Sequence, residues 1–316
     1  MPVPIILFVY NRPDHTRKTV EALARNELAQ ESELWVFSDG PKNSAASEMV
    51  GEVREYIHSL PDSGLFAKVD IIESQRNKGL AESIITGVTK VINAFGCAIV
   101  LEDDLVTAPD FLKFMNACLD YYKDDKKVGS ISGYSPTKVI PDDYHHSVYL
   151  LSRSCSLGWA TWIDRWQQVD WDVTDFDQFK KDTNARKRFD ECGSDRFDRL
   201  RRQLELGANS WSIRFGYWQF RCGMNTVYPV VTRLRNIGND GSGVHDGTGA
   251  TYNDDLPEQP VLFELTTPEP DQHIIREVKK IYSGSRLSQF SRFLRNKGFK
   301  FVDSALRSLL QLCRIK

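Results

Sequence analysis

The chain has 316 residues, of which 41% are hydrophobic and 27% are charged, and its net charge is −2. No stretch approaches the roughly 18 consecutive apolar residues of a membrane span, and the apolar opening residues lack the basic start of a signal peptide. Six dispersed cysteines without a C-x-x-C pair argue against a zinc site or a disulfide framework, so we expect a soluble, cytoplasmic protein.

Short apolar runs alternate with longer amphipathic stretches along the first 135 residues. The first strand is predicted at 5–11, and a helix follows from Asp14. Further strands are predicted at 33–40, 67–74, 97–104 and 128–133, with helices at 44–59, 79–95 and 108–125. This alternation predicts an α/β fold in which a mostly parallel sheet is flanked by helices on both faces.

Polar side chains follow four of these strands at the point where each strand ends. They are Asn11 and Arg12, then Ser38 and Asp39, then Arg76, Asn77 and Lys78, and finally the acidic triplet Glu102, Asp103 and Asp104. Because open parallel sheets bind ligands at the carboxyl ends of their strands, we expect these residues to converge on one site. Three adjacent acids repel one another, so we also expect a cation beside them.

These residues could bind the parts of a nucleotide that carries a diphosphate. Arg12 can pair with phosphate, Asp39 can accept a hydrogen bond from a pyrimidine, and one carboxylate of the triplet can hold Mg²⁺ or Mn²⁺. Each residue alone also has a structural explanation: Asp39 in a turn, Arg12 in an ordinary ion pair, and Asp103 or Asp104 as a helix cap. No P-loop or G-x-G-x-x-G motif follows the first strand, so the pattern favours a metal-dependent transferase that uses an activated sugar.

The segment AIVLEDDLVTAPDFLKFMNACL, residues 98–119, resembles the corresponding block of the N-acetylglucosaminyltransferase I family of GT-A glycosyltransferases. Weaker similarities follow in the family's order at 9–23, 36–40, 156–166, 209–218 and 236–247. The resemblance implies a Rossmann-like GT-A fold with a nucleotide-sugar-binding half at 1–135 and an acceptor-binding, catalytic half at 136–260. Residues 261–316 are expected to form a C-terminal helical extension with a basic amphipathic tail.

The resemblance also implies roles for the residues of this sequence that match the family's motifs. Arg12 matches the residue that binds the diphosphate, Asp39 the one that contacts uracil, and Asp104 the one that ligates manganese. Glu102 and Asp103 match positions that touch the transferred sugar and the ribose.

One position departs from the family's pattern. Trp211 aligns with an aromatic residue beside the donor sugar, but Ser212 stands where the family has its catalytic Asp. An inverting transferase, which we expect here, needs a base for the acceptor hydroxyl. The candidates are Asp240, His245 and Asp246, in a glycine-rich segment that can close as a lid. His245 could instead bind the diphosphate or the metal, and a retaining enzyme would need no base at this position.

Two later segments predict local structure. Trp159, Trp162 and Trp166 are spaced by three and four residues, which predicts one face of a helix. Most of the tryptophans from 150 to 230 are expected in the core, with Trp211 as the exception. The charged run at 180–207 predicts two helices broken at Gly193, with most of its charges serving only solvation.

The residues from 285 onward differ from the rest of the chain in charge. Eight basic residues stand there against the single acid Asp303, and apolar residues recur between them near helical spacing. The pattern predicts either a helix on an anionic membrane surface or a helix packed on its own domain with a basic solvent face. Nucleic acid is not an expected partner, because the basic residues are confined to this tail.

Together these observations predict a cytoplasmic, peripheral membrane glycosyltransferase of surface polysaccharide synthesis. Its donor would be a nucleoside-diphosphate sugar, by default UDP-GlcNAc because the family uses it, and its acceptor a glycan or a lipid-linked glycan. One alternative is an inactive GT-A relative that binds carbohydrate or nucleotide as a module or partner subunit, with Ser212 marking a lost base. A nucleotidyltransferase is disfavoured, because no Gly-rich phosphate loop follows the first strand.

Overall fold

The computed structural model describes residues 1–238, 255–285 and 289, which contain ten strands, ten α-helices and a short 3-10 helix at Ala29–Glu31. The strands are β1 (Ile5–Val9), β2 (Glu33–Ser38), β3 (Lys68–Glu73), β4 (Cys97–Glu102), β5 (Leu105–Thr107), β6 (Val128–Ser132), β7 (Val148–Leu151), β8 (Trp159–Trp162), β9 (Asn225–Pro229) and β10 (Leu234–Asn236). The helices are α1 (Pro13–Ala24), α2 (Ser44–His58), α3 (Leu80–Phe95), α4 (Phe111–Tyr121), α5 (Ile163–Trp166), α6 (Phe176–Lys181), α7 (Thr183–Phe189), α8 (Arg196–Glu205), α9 (Trp211–Arg221) and α10 (Gln272–Ser283).

Eight of the strands form one sheet in the order β3-β2-β1-β4-β8-β6-β9-β7, and β10 pairs with β5 in a separate ribbon. β1 is parallel to β2 and β4, and β2 is parallel to β3. β8 is antiparallel to both of its neighbours, β9 is parallel to β6, and β7 is antiparallel to β9. Within this eight-stranded sheet, all strands except β7 and β8 therefore run in one direction, which confirms the predicted α/β fold with a mostly parallel sheet.

The strand directions bring several loops to the same edge of the sheet. β1, β2, β3 and β4 all end there, because they are mutually parallel. The antiparallel β8 begins there, since its first residue, Trp159, pairs with Val100 near the end of β4. The loop at 152–158, which leads into β8, consequently lies beside the carboxyl end of β4.

Apolar layers cover both faces of the sheet, because alternate residues of a strand point to opposite faces. In β4, Ile99 and Leu101 contact one layer, whereas Ala98 and Val100 contact the other. Helices α1, α2, α4 and α10 contribute buried side chains to the first layer, and α3, α5 and α9 contribute to the second. The strand ends that carry the polar residues are thus fixed from both sides.

The three tryptophans predicted on one helix face lie on two different elements. Trp159 and Trp162 belong to β8 and contact opposite layers of the core, and Trp166 ends the short helix α5. The helix prediction is wrong for 159–162, because pairing of β8 with β4 and β6 decides the backbone conformation over local spacing. All three indoles are buried, as predicted.

The charged run at 180–207 forms α7 and α8 around the expected break near Gly193. Some of its charged side chains are nevertheless in the interior. Arg196 and Asp198 are only 2% and 4% exposed. Solvation alone therefore does not explain why these two charges are present.

Several predictions concern residues outside the described part of the chain. These are the basic tail, of which only Ser285 and Gln289 are described, and the base candidates Asp240, His245 and Asp246. Among the helices of the described residues, none has both the length and the apolar character needed to cross a membrane.

A buried ion pair joins the start of α4 to the turn before β10. Arg233 donates from Nε to Asp110 Oδ2 at 3.1 Å, and neither side chain is more than 2% exposed. The Val261 N–H donates to the same oxygen at 3.2 Å, and the Arg233 guanidinium lies 4.1 Å from the centroid of the Phe114 ring. The pair therefore also holds the backbone near residue 261 against α4.

Replacing Arg233 with Met should lower the free energy of unfolding by about 3–5 kcal/mol, because the Asp110 carboxylate is then buried without its partner. Urea unfolding followed by circular dichroism measures the change. Lys113→Met, which removes an exposed ion pair between α4 and Glu27, is the matched control and should cost under about 1 kcal/mol. Equal losses in the two variants would show that the buried pair has no special role.

Candidate functional site

The predicted polar residues meet at the carboxyl edge of β1–β4. Along that edge lie the loop at 76–79 after β3, then Asp39 after β2, Arg12 after β1, and the acidic triplet at the end of β4. Neighbouring strands are about 4.8 Å apart, so the ends of β2 and β4 are separated by about 10 Å. This distance suits a nucleotide with its base near β2 and its phosphates near β4.

Arg12 binds the last two acids of the triplet directly. Its Nη2 donates to Asp103 Oδ1 at 2.5 Å and to Asp104 Oδ2 at 3.0 Å. Asp103 is 4% exposed, and its Oδ2 also accepts a hydrogen bond from the Tyr10 N–H at 3.3 Å. Thr19 fixes the turn, because its hydroxyl donates to the Asp103 carbonyl at 2.8 Å.

The structure decides between the alternatives for three of these residues. Arg12 does form an ion pair, but its partners are the acids of the same site. Neither Asp103 nor Asp104 caps a helix, since α4 begins at Phe111 with Asp110 at its N-cap and β5 lies in between. The capping alternative is therefore wrong.

Burial changes the acidity of the triplet. Burial, followed by the charges of Asp104 and Asp103, raises the pKa of Glu102 to about 8. Burial also raises the pKa of Asp103 to about 6, although the Arg12 guanidinium acts in the opposite direction. A further cation beside these carboxylates would favour their ionised forms.

One oxygen of Asp104 has no hydrogen-bond donor among the described residues. Its Oδ2 is paired with Arg12, whereas no described residue donates a hydrogen bond to Oδ1, and the side chain is 14% exposed. The Ile237 N–H bonds the Asp104 carbonyl at 2.9 Å. A Cβ atom at Gly238 would lie 2.2 Å from Asp104 Oδ2 and 2.8 Å from Arg12 Nη1, so only glycine lets the chain pass here.

A divalent cation fits this chemistry with a single protein ligand. Within residues 1–238 and 255–285, no three His, Cys, Asp or Glu side chains are arranged to hold a metal together. Magnesium and manganese prefer oxygen ligands, and at nucleotide sites one or two carboxylates suffice because phosphates and waters complete the shell. Asp104 Oδ1 provides such a carboxylate oxygen.

Asp39 anchors the loop that follows β3. Its Oδ1 accepts hydrogen bonds from the backbone N–H groups of Gly40 at 2.8 Å and Lys78 at 2.9 Å. Its Oδ2 accepts from the Gly79 N–H at 2.9 Å and from Asn77 Nδ2 at 3.1 Å. Since a carboxylate has about four acceptor positions, a direct contact between Asp39 and uracil would have to replace one of these bonds.

Trp211 and Ser212 belong to the first turn of α9. Trp211 is 3% exposed, and its ring stacks on Trp159 at a centroid distance of 4.9 Å. The structure thus places Trp211 in the aromatic core and does not expose its indole to a donor sugar. Ser212 is in the first turn of α9, where its Oγ lies 3.5 Å from Arg199 Nη2.

Two residues that shape the site were not predicted from the sequence. Gly238 belongs to the glycine-rich segment, which indicated a lid and gave no sign that one glycine packs on Asp104. Thr19 lies in α1 between core positions, and its hydrogen bond to Asp103 has no local sequence signal.

Replacing Glu102 with Gln should make the protein more stable than the wild type at high pH. The folded-state pKa of about 8 lies above the ordinary value of 4.5, so the wild type loses stability as the pH rises between these values. Gln does not ionise in this range. The free energies of unfolding of the variant and the wild type should therefore agree near pH 4.5 and diverge as the pH rises to 8.

Urea unfolding at several pH values, without metal or nucleotide, measures this divergence. Glu82→Gln, on the exposed side of α3, is the control and should follow the wild type at every pH. If Glu102→Gln also ran parallel to the wild type from pH 4.5 to pH 8, the raised pKa would be refuted.

Comparison with known proteins gives one family. The sequence profile of the GNT-I family matches residues 1–192, which is more than half of the chain and includes β1–β8 and the acidic edge. A search among curated proteins found no match.

The solved structures that resemble the chain include three of TarS from S. aureus. One of TarS is 12% identical with a TM-score of 0.37, covering 54% of this chain and 30% of that one. A structure of TarS 1–349 is 10% identical with a TM-score of 0.43, covering 74% and 60%. A complex of TarS 1–349 with UDP is 15% identical with a TM-score of 0.31, covering 42% and 35%. The chain thus spans between 30% and 60% of the length of these structures.

Proposed function

The chain belongs to the GNT-I family, and on this basis we propose that it transfers a sugar from a nucleoside-diphosphate sugar bound along the carboxyl edge of β1–β4. The observation that carries the proposal is the cluster of Arg12, Asp103 and Asp104 at that edge, in which no described residue donates a hydrogen bond to Asp104 Oδ1. A site for a diphosphate and its counter-cation needs both the arginine and the carboxylate.

We assign the nucleobase of the donor to the β2–β3 end of the site. Asp39 holds the loop at 76–79 there through four donors, so the loop is a preformed wall for a flat ring. In this assignment Asp39 shapes the nucleobase site. It contacts uracil only if one of its present hydrogen bonds is replaced by a bond to uracil. UDP is the nucleotide that family membership favours.

Arg12 is suited to the diphosphate. Its Nη2 alone makes the described hydrogen bonds to Asp103 and Asp104, whereas a guanidinium carries five N–H donors. The remaining donors are available to phosphate oxygens without breaking the ion pairs. Arg12 would therefore stabilise negative charge on the leaving group from a fixed position, which requires no reorganisation during the reaction.

Asp104 would hold Mg²⁺ or Mn²⁺ through Oδ1, next to Arg12. Such a cation neutralises the charge that develops on a departing nucleoside diphosphate. Glu102 and Asp103 surround the position at which the ribose and the transferred sugar would lie, as the family resemblance implies. A bound cation would offset the burial that raises the pKa values of Glu102 and Asp103.

The acceptor would approach from the side of β8, where the loop at 152–158 borders the end of β4. Its hydroxyl must lose a proton during attack in an inverting reaction, and a serine such as Ser212 does not take a proton unaided. Asp240, His245 and Asp246 stay the predicted candidates for this base. We further propose UDP-GlcNAc as the donor, inversion of configuration, and a glycan or lipid-linked acceptor of surface polysaccharide synthesis.

Asp104→Asn should reduce metal-dependent release of UDP from UDP-GlcNAc about 100-fold or more, because it removes the charge opposite the cation. A coupled assay for UDP, run with Mn²⁺ and with a chelator, measures the loss, and circular dichroism checks the fold. Asp120→Asn removes a carboxylate that is 80% exposed on α4 and should leave turnover unchanged.

Calorimetric titration with UDP-, GDP- and dTDP-sugars in the presence of Mn²⁺ completes the test. Binding without any turnover by the wild type would identify an inactive relative of the family. The proposal fails if no nucleotide sugar binds, or if Asp104→Asn turns over as fast as the wild type.

A further inference from the structure

A second cavity, separate from the acidic edge, is lined by arginines. Its volume is about 40 Å³, several times the roughly 10–15 Å³ that one water molecule needs. None of the described residues that line it is acidic. The polar side chains in its lining are Arg153, Arg196, Arg199, Ser154, Ser156 and Ser212. The cavity is therefore cationic, rich in hydrogen-bond donors, and large enough for a small polar group.

Arg196 is a buried cation that has no carboxylate partner. Its side chain is 2% exposed, and its guanidinium donates to the carbonyl oxygens of Phe189 at 2.7 Å and Gly216 at 3.3 Å. No acid among the described residues lies within ion-pair distance of it. Burial, followed by the charge of Arg153, lowers the pKa of Arg196 to about 10. Because a buried charge is costly unless it is paired, an anion in this cavity would stabilise it.

The other two arginines both lie beside Asp195. Arg153 donates to both oxygens of Asp195, at 2.8 Å and 2.9 Å, and Arg199 Nη1 lies 3.7 Å from the same group. Asp190 is also nearby, but its Oδ1 accepts from the Phe197 N–H, and burial raises its pKa to about 6. Three guanidinium groups thus line the cavity, whereas Asp195 is not among the described lining residues.

The start of α9 adds to the preference for an anion. Ser212 and Ile213 line the cavity from the first turn of this 11-residue helix. Its N-cap residue, Ser210, makes no capping hydrogen bond with its side chain, so the first N–H groups lack that usual acceptor. The N-terminal end of a helix carries partial positive charge and binds oxyanions well.

The position of the cavity connects it with the acceptor. Ser154 and Ser156 belong to the loop at 152–158, which enters β8 at the edge of the sheet where β4 ends in Glu102. Helix α9 is attached to the same strand, because Trp211 stacks on Trp159. A group bound here would lie on the β8 side of the donor, which is the side open to a second substrate.

We propose that this cavity binds a carboxylate or phosphate group of the acceptor, and that the natural acceptor is therefore an anionic glycan. The anion site rests on the cavity and its arginines, whereas its assignment to the acceptor rests on the proposed transferase function. Arg196 and Arg199 bind the anion in this account, and Arg153 positions Asp195 and the loop at 152–158.

Calorimetric titration of the full chain with glucose 6-phosphate, glucuronate and glucose tests the proposal. At least one of the two anions should bind roughly tenfold or more tightly than glucose, as expected for charge-assisted hydrogen bonds. Tighter binding of glucose 6-phosphate indicates a phosphate-bearing acceptor, and tighter binding of glucuronate indicates a uronic acid. Neither anion binding better than glucose would overturn the proposal.

Two variants locate the anion in this cavity. Arg199→Gln removes a side chain that is 42% exposed, and Ser156→Asp places a carboxylate in the lining. Each should weaken anion binding roughly tenfold or more while leaving the affinity for UDP unchanged. Arg202→Gln, an exposed position of α8 outside the lining, is the control and should bind like the wild type. Equal anion affinities in all three variants would place the anion elsewhere and refute the site.

The same titrations separate this proposal from the proposed function. If the anion binds in the cavity but no nucleotide sugar binds, the transferase function fails and the anion site stands. If UDP-sugars bind and are turned over but neither anion binds, the transferase function stands and the anionic acceptor is excluded.

Discussion

The ion pairs of Arg12 with Asp103 and Asp104 are the interaction on which the site depends. They hold two carboxylates together at the end of a buried strand, where the acids would otherwise repel each other. Arg12 offsets the negative charge of the acidic triplet only in part, because burial still raises the pKa values of Glu102 and Asp103. In the proposed function, a second cation binds at this edge with Asp104 Oδ1 as its protein ligand.

The antiparallel strand β8 determines which segments of the chain lie beside the acidic edge. It pairs with β4 and carries Trp159 at its start, so the loop before it and the first turn of α9 are brought next to the donor side. One side of this region is acidic and suited to a cation with a diphosphate. The other contains Arg196 and its neighbours and is suited to an anion. Because these two regions differ in charge, the donor would bind at the acidic edge and the acceptor beside the arginine-lined cavity.

Much of the first half of the fold follows from the sequence, because each parallel strand is a short buried run and each ends in polar residues. The convergence of Arg12, Asp39 and the acids is a consequence of strand direction alone. The helix predicted for Trp159 and Trp162 fails because sheet pairing with distant strands is not visible in local spacing. The burial of Arg196 was equally invisible, since a charged run usually indicates solvent exposure.

The central claim is that Asp104 holds a divalent cation against a bound nucleoside diphosphate. Electron paramagnetic resonance of Mn²⁺ measures this directly, because free and protein-bound ions give different signals. The account predicts one bound Mn²⁺ per chain when UDP is present, and loss of that bound ion in Asp104→Ala with the fold intact. Equal Mn²⁺ binding by the wild type and Asp104→Ala in the presence of UDP would contradict it.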